Sequence, residues 1–292
     1  MPASCDRFPI VVVPHIMPAS RISPLTNISA IIVGLLVLGS AVPAAAQTNV
    51  LDSDPIRARK KLVYDMVGAY FGPSFNGQTG TIVTDCNCEF TGGAQTGLTA
   101  GLMFERLTRS SLRWGVTLGY ELRSVEGQFT EIEGVVQQSP STGQQYVVPI
   151  QFSNVATTSL GYLSAMPYLK YDILDAWFVR GGAVLSYVIS SNLTHVKTLE
   201  TDTVTFPNGE TAAVSLPGAE SGSVELQNGP IPELNPFQLG LSLATGVEIR
   251  LSKTLYLSPV AQYIFPLTQV SSFGGGFSVQ AFQIFLEGRF IL

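Results

Sequence analysis

From about residue 62 to the end of the chain, apolar and polar residues alternate with a period of two in separate segments. A period of two places successive side chains on opposite sides, which predicts β-strands with two different faces. The third segment, which begins at Leu112, shows the pattern most clearly, since every second residue from there to Leu122 is apolar. The predicted strands are Leu62–Phe75, Gln95–Leu107, Leu112–Thr130, Thr157–Tyr171, Ala176–Ser191, Phe237–Leu251, Thr254–Thr268 and Val279–Ile291.

Short and long connections between these eight segments alternate along the chain. Tight turns at one end and long loops at the other are typical of outer-membrane barrels. We therefore expect an all-β fold, an eight-stranded antiparallel up-and-down transmembrane β-barrel, closed because lipid cannot satisfy the amides of a free edge. Both termini are expected at the periplasmic end and the long loops outside the cell. The predicted short connections are Thr108–Ser111, Asp172–Asp175 and Ser252–Lys253, and the long ones are Asn76–Ala94, Glu131–Ala156, Asn192–Pro236 and Gln269–Ser278.

A separate apolar run, Ala30–Leu38, lies ahead of the strands. It is shorter than the roughly 20 residues that a membrane-spanning helix needs. Arg21 precedes it and Ala44–Ala46 follows it, which is the order of a secretory signal peptide. A retained anchor helix is the alternative. The expected organisation is a removed signal peptide at residues 1–46, a periplasmic segment at 47–61 and the barrel at 62–292, with translation starting at Met1 or Met17, since Met-Pro-Ala-Ser occurs at both.

Composition supports a lipid-exposed protein. Only 13% of the residues are charged while 46% are hydrophobic, against roughly 25% charged residues in soluble domains. Removing the leader takes Arg7 and Arg21 from the 16 bases and Asp6 from the 21 acids, which leaves a net charge of −6. An acidic chain lacks the basic footprint of a nucleic-acid-binding protein, so we expect no nucleic-acid partner.

Charged residues fall mainly on one face of the predicted strands. A charge that faces lipid at depth costs about 2–4 kcal/mol, so we assign this face to the lumen, where buried charges must pair. An eight-stranded interior is only wide enough for side chains to fill. This favours a packed ionic plug, with a gated pore or proton path as the alternative. The predicted lumen network is Asp65, Glu105, Glu121, Glu248, Glu287, Arg123, Lys170, Arg180, Arg250 and Arg289.

The long loops are acidic, with Lys197 as their one base. Such charge keeps loops solvated, or it binds divalent cations or a basic ligand. At the opposite end, aromatic side chains are expected to form an interfacial girdle. The predicted girdle residues are Tyr64, Trp114, Tyr171 and Trp177, and the loop acids are Asp85, Glu89, Glu131, Glu133, Glu200, Asp202, Glu210, Glu220, Glu225 and Glu233.

Candidate chemistry is sparse. Cys86 and Cys88 are a possible disulfide after export, or two loop thiols, and two thiolates alone do not complete a zinc site. His195, the single histidine after the leader, is expected to be a solvated loop residue. A lipid-modifying enzyme that uses His195 is an alternative, although no G-x-S-x-G nucleophile motif occurs. We predict no catalytic residues, metal site or cofactor.

Several runs in the barrel region resemble a known family. They are Tyr162–Tyr171 (YLSAMPYLKY), Trp177–Gly182 (WFVRGG), Gly246–Ile249 (GVEI) and the alternating ending to Phe290. The chain resembles the superfamily of small outer-membrane barrels that includes OmpA and OmpX, and most of all the PorT-like outer-membrane β-barrel domain. The resemblance implies a fold and carries no catalytic residues.

Pattern and resemblance together favour a structural or surface-interaction barrel that displays acidic loops. The alternatives are a narrow channel, the lipid-modifying enzyme and a soluble ligand-carrying barrel of the lipocalin type. The expected partners are outer-membrane lipids and lipopolysaccharide, the barrel-assembly machinery and an unidentified extracellular ligand.

Overall fold

A computed structural model describes residues 64–84, 88–108, 111–201, 203–214 and 222–292. The predicted signal peptide, its cleavage site and the segment at 47–61 lie outside these residues, as do Cys86, Asp85, Asp202 and Glu220. In the described part no helix is long and apolar enough to cross a membrane.

Thirteen strands form the described part of the chain. Eight of them are long enough to make a barrel wall, and the others are short. In chain order they are β1 (Asp65–Val83), β2 (Glu89–Phe90), β3 (Ala94–Arg106), β4 (Leu112–Gln138), β5 (Gln145–Asp172), β6 (Trp177–Leu199), β7 (Thr203–Thr205), β8 (Thr211–Ala213), β9 (Ser223–Gly229), β10 (Phe237–Val247), β11 (Ile249–Arg250), β12 (Leu255–Pro266) and β13 (Gly274–Ile291).

The barrel wall is a closed ring of antiparallel neighbours. β1, β3, β4, β5, β6, β10, β12 and β13 pair in that order, and β13 pairs back with β1. The prediction of an all-β, eight-stranded up-and-down barrel is confirmed. We call the end that holds the short turns and the strand ends Asp65 and Ile291 the turn end, and the opposite end the loop end.

Strands at the loop end run much further than the sequence pattern predicts. The β4–β5 ladder continues without a bulge from Leu112–Tyr171 to Gln138–Gln145. The predicted loop Glu131–Ala156 is therefore wrong, as is the loop start at Asn192, since β6 runs to Leu199. The polar composition of these segments is what favours loops in the sequence pattern. Outside lipid a strand needs no apolar face, so polarity does not exclude it.

The part of these strands beyond the barrel is called the extension. It comprises β4 from Glu131, β5 up to Ala156 and β6 from His195, and β9 adds a fourth strand beside β6. The β7–β8 hairpin contributes Val204 and Phe206 to an apolar cluster with Ile150 and other residues of β5. The extension is thus a folded sheet with its own small core.

Candidate functional site: the charged lumen and the extension

Glu105 of β3 is the first centre of the charged lumen. Its side chain is fully buried, and its carboxylate accepts hydrogen bonds from Arg289 at 3.1 Å and from Lys170 at 3.3 Å. The Tyr168 hydroxyl donates to it at 3.0 Å and Arg113 at 3.3 Å. Four donors from three strands therefore converge on one carboxylate, as buried charge requires.

Glu248 is the second centre, and it lies between β10 and β11. Its carboxylate lies 2.6 Å from Arg289, 2.7 Å from Lys170 and 3.0 Å from Arg113. Arg113 also binds Asp172 at 2.7 Å, and that carboxylate is 23% exposed at the turn end. The network therefore begins at the rim of the barrel.

From Arg289 the contacts continue towards the loop end. Arg289 lies 3.8 Å from Glu287, and Arg180 donates to Glu287 at 2.6 Å. Two glutamine amides extend the path to Glu121, whose carboxylate binds Arg123 at 2.7 Å. The links are Arg180 to Gln262 (3.0 Å), Gln262 to Gln283 (3.2 Å) and Gln283 to Glu121 (3.0 Å).

We call this connected set the ionic column. It holds five acids and five bases, so its formal charge is zero. A balanced set of paired charges reduces the cost of removing each ion from water. Its charged members are Asp172, Glu105, Glu121, Glu248, Glu287, Arg113, Arg123, Lys170, Arg180 and Arg289.

Two residues predicted for the lumen do not belong to the column. Asp65 lies on the outward face and pairs with Arg106 at 3.6 Å, with the two side chains 37% and 50% exposed. The cost of a charge at membrane depth favours an inward position, but Asp65 is the first residue of β1, at the rim. Arg250, the last residue of β11, is exposed and donates to the Ser252 and Lys253 carbonyls of the turn that follows.

Two other charged residues were missed. Arg113 follows the predicted short connection Thr108–Ser111 and Asp172 begins the predicted connection Asp172–Asp175, and the predicted lumen network contains neither residue. The missed signal is spacing. Arg113 lies directly opposite Lys170 in the β4–β5 ladder, and a residue two positions from an inward glycine shares its face.

Aromatic rings and aliphatic side chains fill the space around the column. Lys170 lies 4.0 Å from the Phe178 ring centroid, Arg180 lies 4.7 Å from that of Tyr168, and Arg123 lies 4.8 Å from that of Tyr162. A cavity of about 10 Å³ borders Arg123 and Tyr162, which is space for about one water molecule. Above it an apolar cluster closes the lumen: Ile82, Phe90, Val125, Ala156, Leu160, Tyr162, Val188, Leu193, Ile231, Val270, Phe277 and Val279.

The outer surface of the wall has the opposite character. From Trp114 to Leu122 on β4, and from Trp177 to Ile189 on β6, the outward residues include no Asp, Glu, Lys or Arg. We call this stretch of the outer surface the apolar band. Trp114, Tyr171 and Trp177 are 44%, 52% and 44% exposed at the turn end. Other large exposed apolar residues of the wall are Phe71, Leu102, Leu118, Leu163, Leu185, Leu239, Leu241, Leu243, Phe265 and Leu286.

His195 is a buried residue of β6, so its assignment to a solvated loop is wrong. It is 0% exposed, and its ring contacts Phe90 edge-on with centroids 5.2 Å apart. The Asn154 amide nitrogen donates to Glu131 at 2.7 Å, which leaves its oxygen to accept from Nε2 of His195 at 3.1 Å. Nδ1 of His195 is buried without a hydrogen-bond partner among the described residues.

A small charged cluster lies above His195, on the inward face of the extension. Lys197 binds Glu131 at 3.1 Å and Glu133 at 2.5 Å. Burial opposes the charge of Lys197, but these two carboxylates outweigh it and raise its pKa. Burial lowers the pKa of His195, and the Lys197 charge lowers it further. The histidine is therefore neutral near pH 7.

The cysteine pair and possible metal ligands are the remaining candidates for chemistry. Cys88 is half-buried near Thr84, and its predicted partner Cys86 lies outside the described residues, so the disulfide stays a prediction. Within the described ranges no group of three or more His, Cys, Asp or Glu side chains is placed to hold a metal ion.

No family model and no curated protein matches the sequence. Among solved structures, the chain is similar to Ail, the attachment invasion locus protein of Yersinia pestis (9% identity, 78% of this chain and 99% of that chain, TM-score 0.29). It is also similar to Neisserial surface protein A (10%, 79% and 99%, TM-score 0.30) and to the outer membrane protease OmpT from Escherichia coli (8%, 78% and 97%, TM-score 0.28). At such TM-scores these similarities carry no argument about this chain.

Proposed function

We propose that the chain is an integral outer-membrane protein whose filled barrel is a rigid stem for a surface-interaction domain, the extension. The uncharged apolar band supports the membrane location, since that surface is unfavourable in water. Closure of the ring supports it too, because lipid cannot hydrogen-bond free backbone groups. In this arrangement the turn end is periplasmic and the extension is extracellular. Membership of the OmpA/OmpX-like barrels, and of the PorT-like group among them, is part of the proposal.

The observation that carries a structural role is the packed, charge-balanced lumen. A channel needs a continuous path for water, whereas the cavity beside Arg123 and Tyr162 has a volume of about 10 Å³ and lies beneath an apolar cluster. A charge that loses its partner in the column becomes an unpaired buried ion. This free-energy cost opposes any rearrangement of the column into a pore. A narrow channel is therefore the less favoured reading.

Planar-bilayer recording tests this function. The purified mature chain is expected to show no reproducible single-channel steps at either polarity. Phe277→Ala is the comparison, because it removes a large side chain from the apolar cluster that closes the lumen. Steps that occur in this variant and not in the unmodified chain would be due to the loss of that side chain. Regular steps from the unmodified protein would contradict the proposal and favour the channel.

The enzyme alternative is tested separately through His195. Because its ring has no exposed surface, we expect His195→Ala to leave any lipid acyl hydrolysis or transfer by the preparation unchanged. Loss of such turnover in this variant, with the barrel still folded, would identify the protein as an enzyme.

A further inference from the structure

One edge of the extension is unpaired. The ladder between β3 and β4 ends at the Leu98–Leu122 pair, whereas β4 continues to Gln138. Among the described residues no other strand pairs with β4 on that side. Phe90 of β2 packs on Phe129 and covers the lower part. We call the remaining segment, residues 132–138, the β4 edge.

Hydrogen bonds in the neighbouring strand show which backbone groups point outward at this edge. Gln151 lies opposite Ile132 in the β4–β5 ladder. The carbonyl of Gln151 accepts from the Glu200 amide at 3.0 Å, and its own amide donates to the Thr201 hydroxyl at 3.2 Å. Both groups of Gln151 thus face away from β4, so the N–H and C=O of Ile132 face away from β5.

The same period of two applies to Gly134 and Val136, whose backbone groups also face the free side. Unpaired N–H and C=O groups in a row are a template for another strand. Natural edges are usually protected by charge, proline or a bulge. The β4–β5 ladder shows no bulge here, the edge contains no proline, and its one charged residue is Glu133.

Side chains on the outer face of this edge are apolar and exposed. Ile132 is 62% exposed, Val136 is 44% exposed, and Val147 opposite Val136 is 59% exposed. The outward residues Gln128 and Thr130 separate them from the apolar band of the wall. Lipid therefore does not account for this patch.

The inner face of the same edge is acidic. The side chains of Glu131 and Glu133 are 33% and 27% exposed, and Lys197 is the one base that contacts them among the described residues. Two carboxylates share one ammonium group, so a negative charge remains beside the open edge.

We propose that the β4 edge accepts an extended segment of another protein as an added strand, with apolar residues on one face and basic residues on the other. Apolar side chains of that strand lie across from Ile132 and Val136, and basic ones across from Glu131 and Glu133. Main-chain bonds to the edge supply affinity and the alternating side chains supply specificity. The inference rests on the proposed function, because the edge must face the outside of the cell.

Two synthetic peptides test the partner chemistry: a valine–lysine repeat of about ten residues and a valine–glutamate repeat of the same length. Binding to the full mature chain in nanodiscs of zwitterionic lipid is followed by fluorescence anisotropy. We expect the lysine peptide to bind about tenfold more tightly or better. Equal affinities would overturn the proposal.

Proline substitutions test the site. Ile132→Pro and Val136→Pro each remove an amide that faces the free side, so the ladder with β5 is kept. Both are expected to weaken lysine-peptide binding about tenfold. Thr211→Pro is the control, since Thr211 is an exposed residue of β8 that lies outside both the β4 edge and its apolar patch, and this variant should bind like the unmodified chain. Unchanged binding in both edge variants would overturn the proposal.

The outcomes distinguish the strand-addition proposal from the proposed function as a rigid stem. A barrel that conducts ions but discriminates between the peptides contradicts the stem proposal alone. A silent barrel that binds both peptides alike contradicts the strand-addition proposal alone. Vesicles that aggregate without peptide, and cease to do so with Ile132→Pro, would assign the edge to a second copy of the chain instead.

Discussion

The Glu121–Arg123 pair offers a direct test of the ionic column, because it lies at the column's far end with few other partners. Arg123 is 4% exposed and Glu121 is 1% exposed, and Glu121 provides the carboxylate bound to Arg123 at 2.7 Å. Glu121→Gln leaves a buried guanidinium without a counter-ion, and Arg123→Met leaves a buried carboxylate with the Gln283 amide. Each single change is expected to cost about 3–5 kcal/mol.

The double variant has a different expected result. With both charges removed, no ion remains unpaired, so Glu121→Gln with Arg123→Met should cost less than either single change. The resulting coupling free energy is at least about 3 kcal/mol. This large non-additivity distinguishes a desolvated pair from a solvated one, for which coupling stays at about 0–1 kcal/mol.

Urea titration in lipid vesicles measures these free energies. The chain contains two tryptophans, Trp114 on β4 and Trp177 on β6, so intrinsic fluorescence reports on the wall itself. Asp65→Asn is the control, because the Asp65–Arg106 pair is exposed and should contribute about 0–1 kcal/mol. Single variants that each cost below about 1 kcal/mol, or additive effects, would refute a desolvated, paired lumen.

Three further outcomes follow from the same structure. Gly119→Ala should lower the free energy of unfolding in the urea titration by about 1–3 kcal/mol, since its added methyl would overlap the lumen-facing hydroxyl of Tyr70. Gly181→Ala should cost little, because an added Cβ there meets its nearest atom at 3.9 Å. Equal effects of the two variants would contradict the assigned faces. His195 lies six residues beyond the apolar band, and its pKa in the folded protein is below the ordinary value of 6.5. Unfolding therefore takes up a proton, so the extension should lose protection from hydrogen exchange as the pH falls below 6.5. His195→Gln should abolish this loss. Leu118→Arg, in the apolar band, should cost about 2–4 kcal/mol and Thr130→Arg, beyond it, about zero; similar costs would remove the basis for the band.

Sequence periodicity was sufficient for the wall because each strand there meets two different media. Trp114 to Leu122 alternate cleanly with Gly115 to Arg123, and in the proposed membrane location lipid on one side and packed charge on the other enforce that alternation. The closed ring and the inward position of Glu105, Glu121, Glu248 and Glu287 follow from it. These residues could be assigned without knowledge of their partners.

Periodicity does not predict the strands of the extension, because both faces of a strand there meet water or a small core. Glu131 and Gln151 read as loop residues, yet they belong to a ladder that continues to Gln138. His195 was misplaced for the same reason. Its burial depends on Phe90, far away in sequence, and on an amide of β5, which no local pattern reveals.

The rim shows a second limit. Asp65 and Arg250 both fit the alternating pattern of the sequence. At the end of a strand, however, a side chain reaches solvent whichever face it lies on. Spacing from Gly115 places Arg113 on the inward face, and the pairing register brings it to Asp172 and Glu248.

The central claim is that the apolar face of the wall meets acyl chains while the charged face is sealed from water. Single cysteines at Leu118 (outward) and Ser186 (inward), introduced with Cys86 and Cys88 replaced by serine, test both halves in lipid vesicles. A membrane-impermeant cationic thiol reagent should modify neither, and a lipid-soluble maleimide should modify the cysteine at 118. Rapid labelling by the cationic reagent at 186 would reveal a water-filled lumen, and at 118 it would show that the band does not lie in lipid.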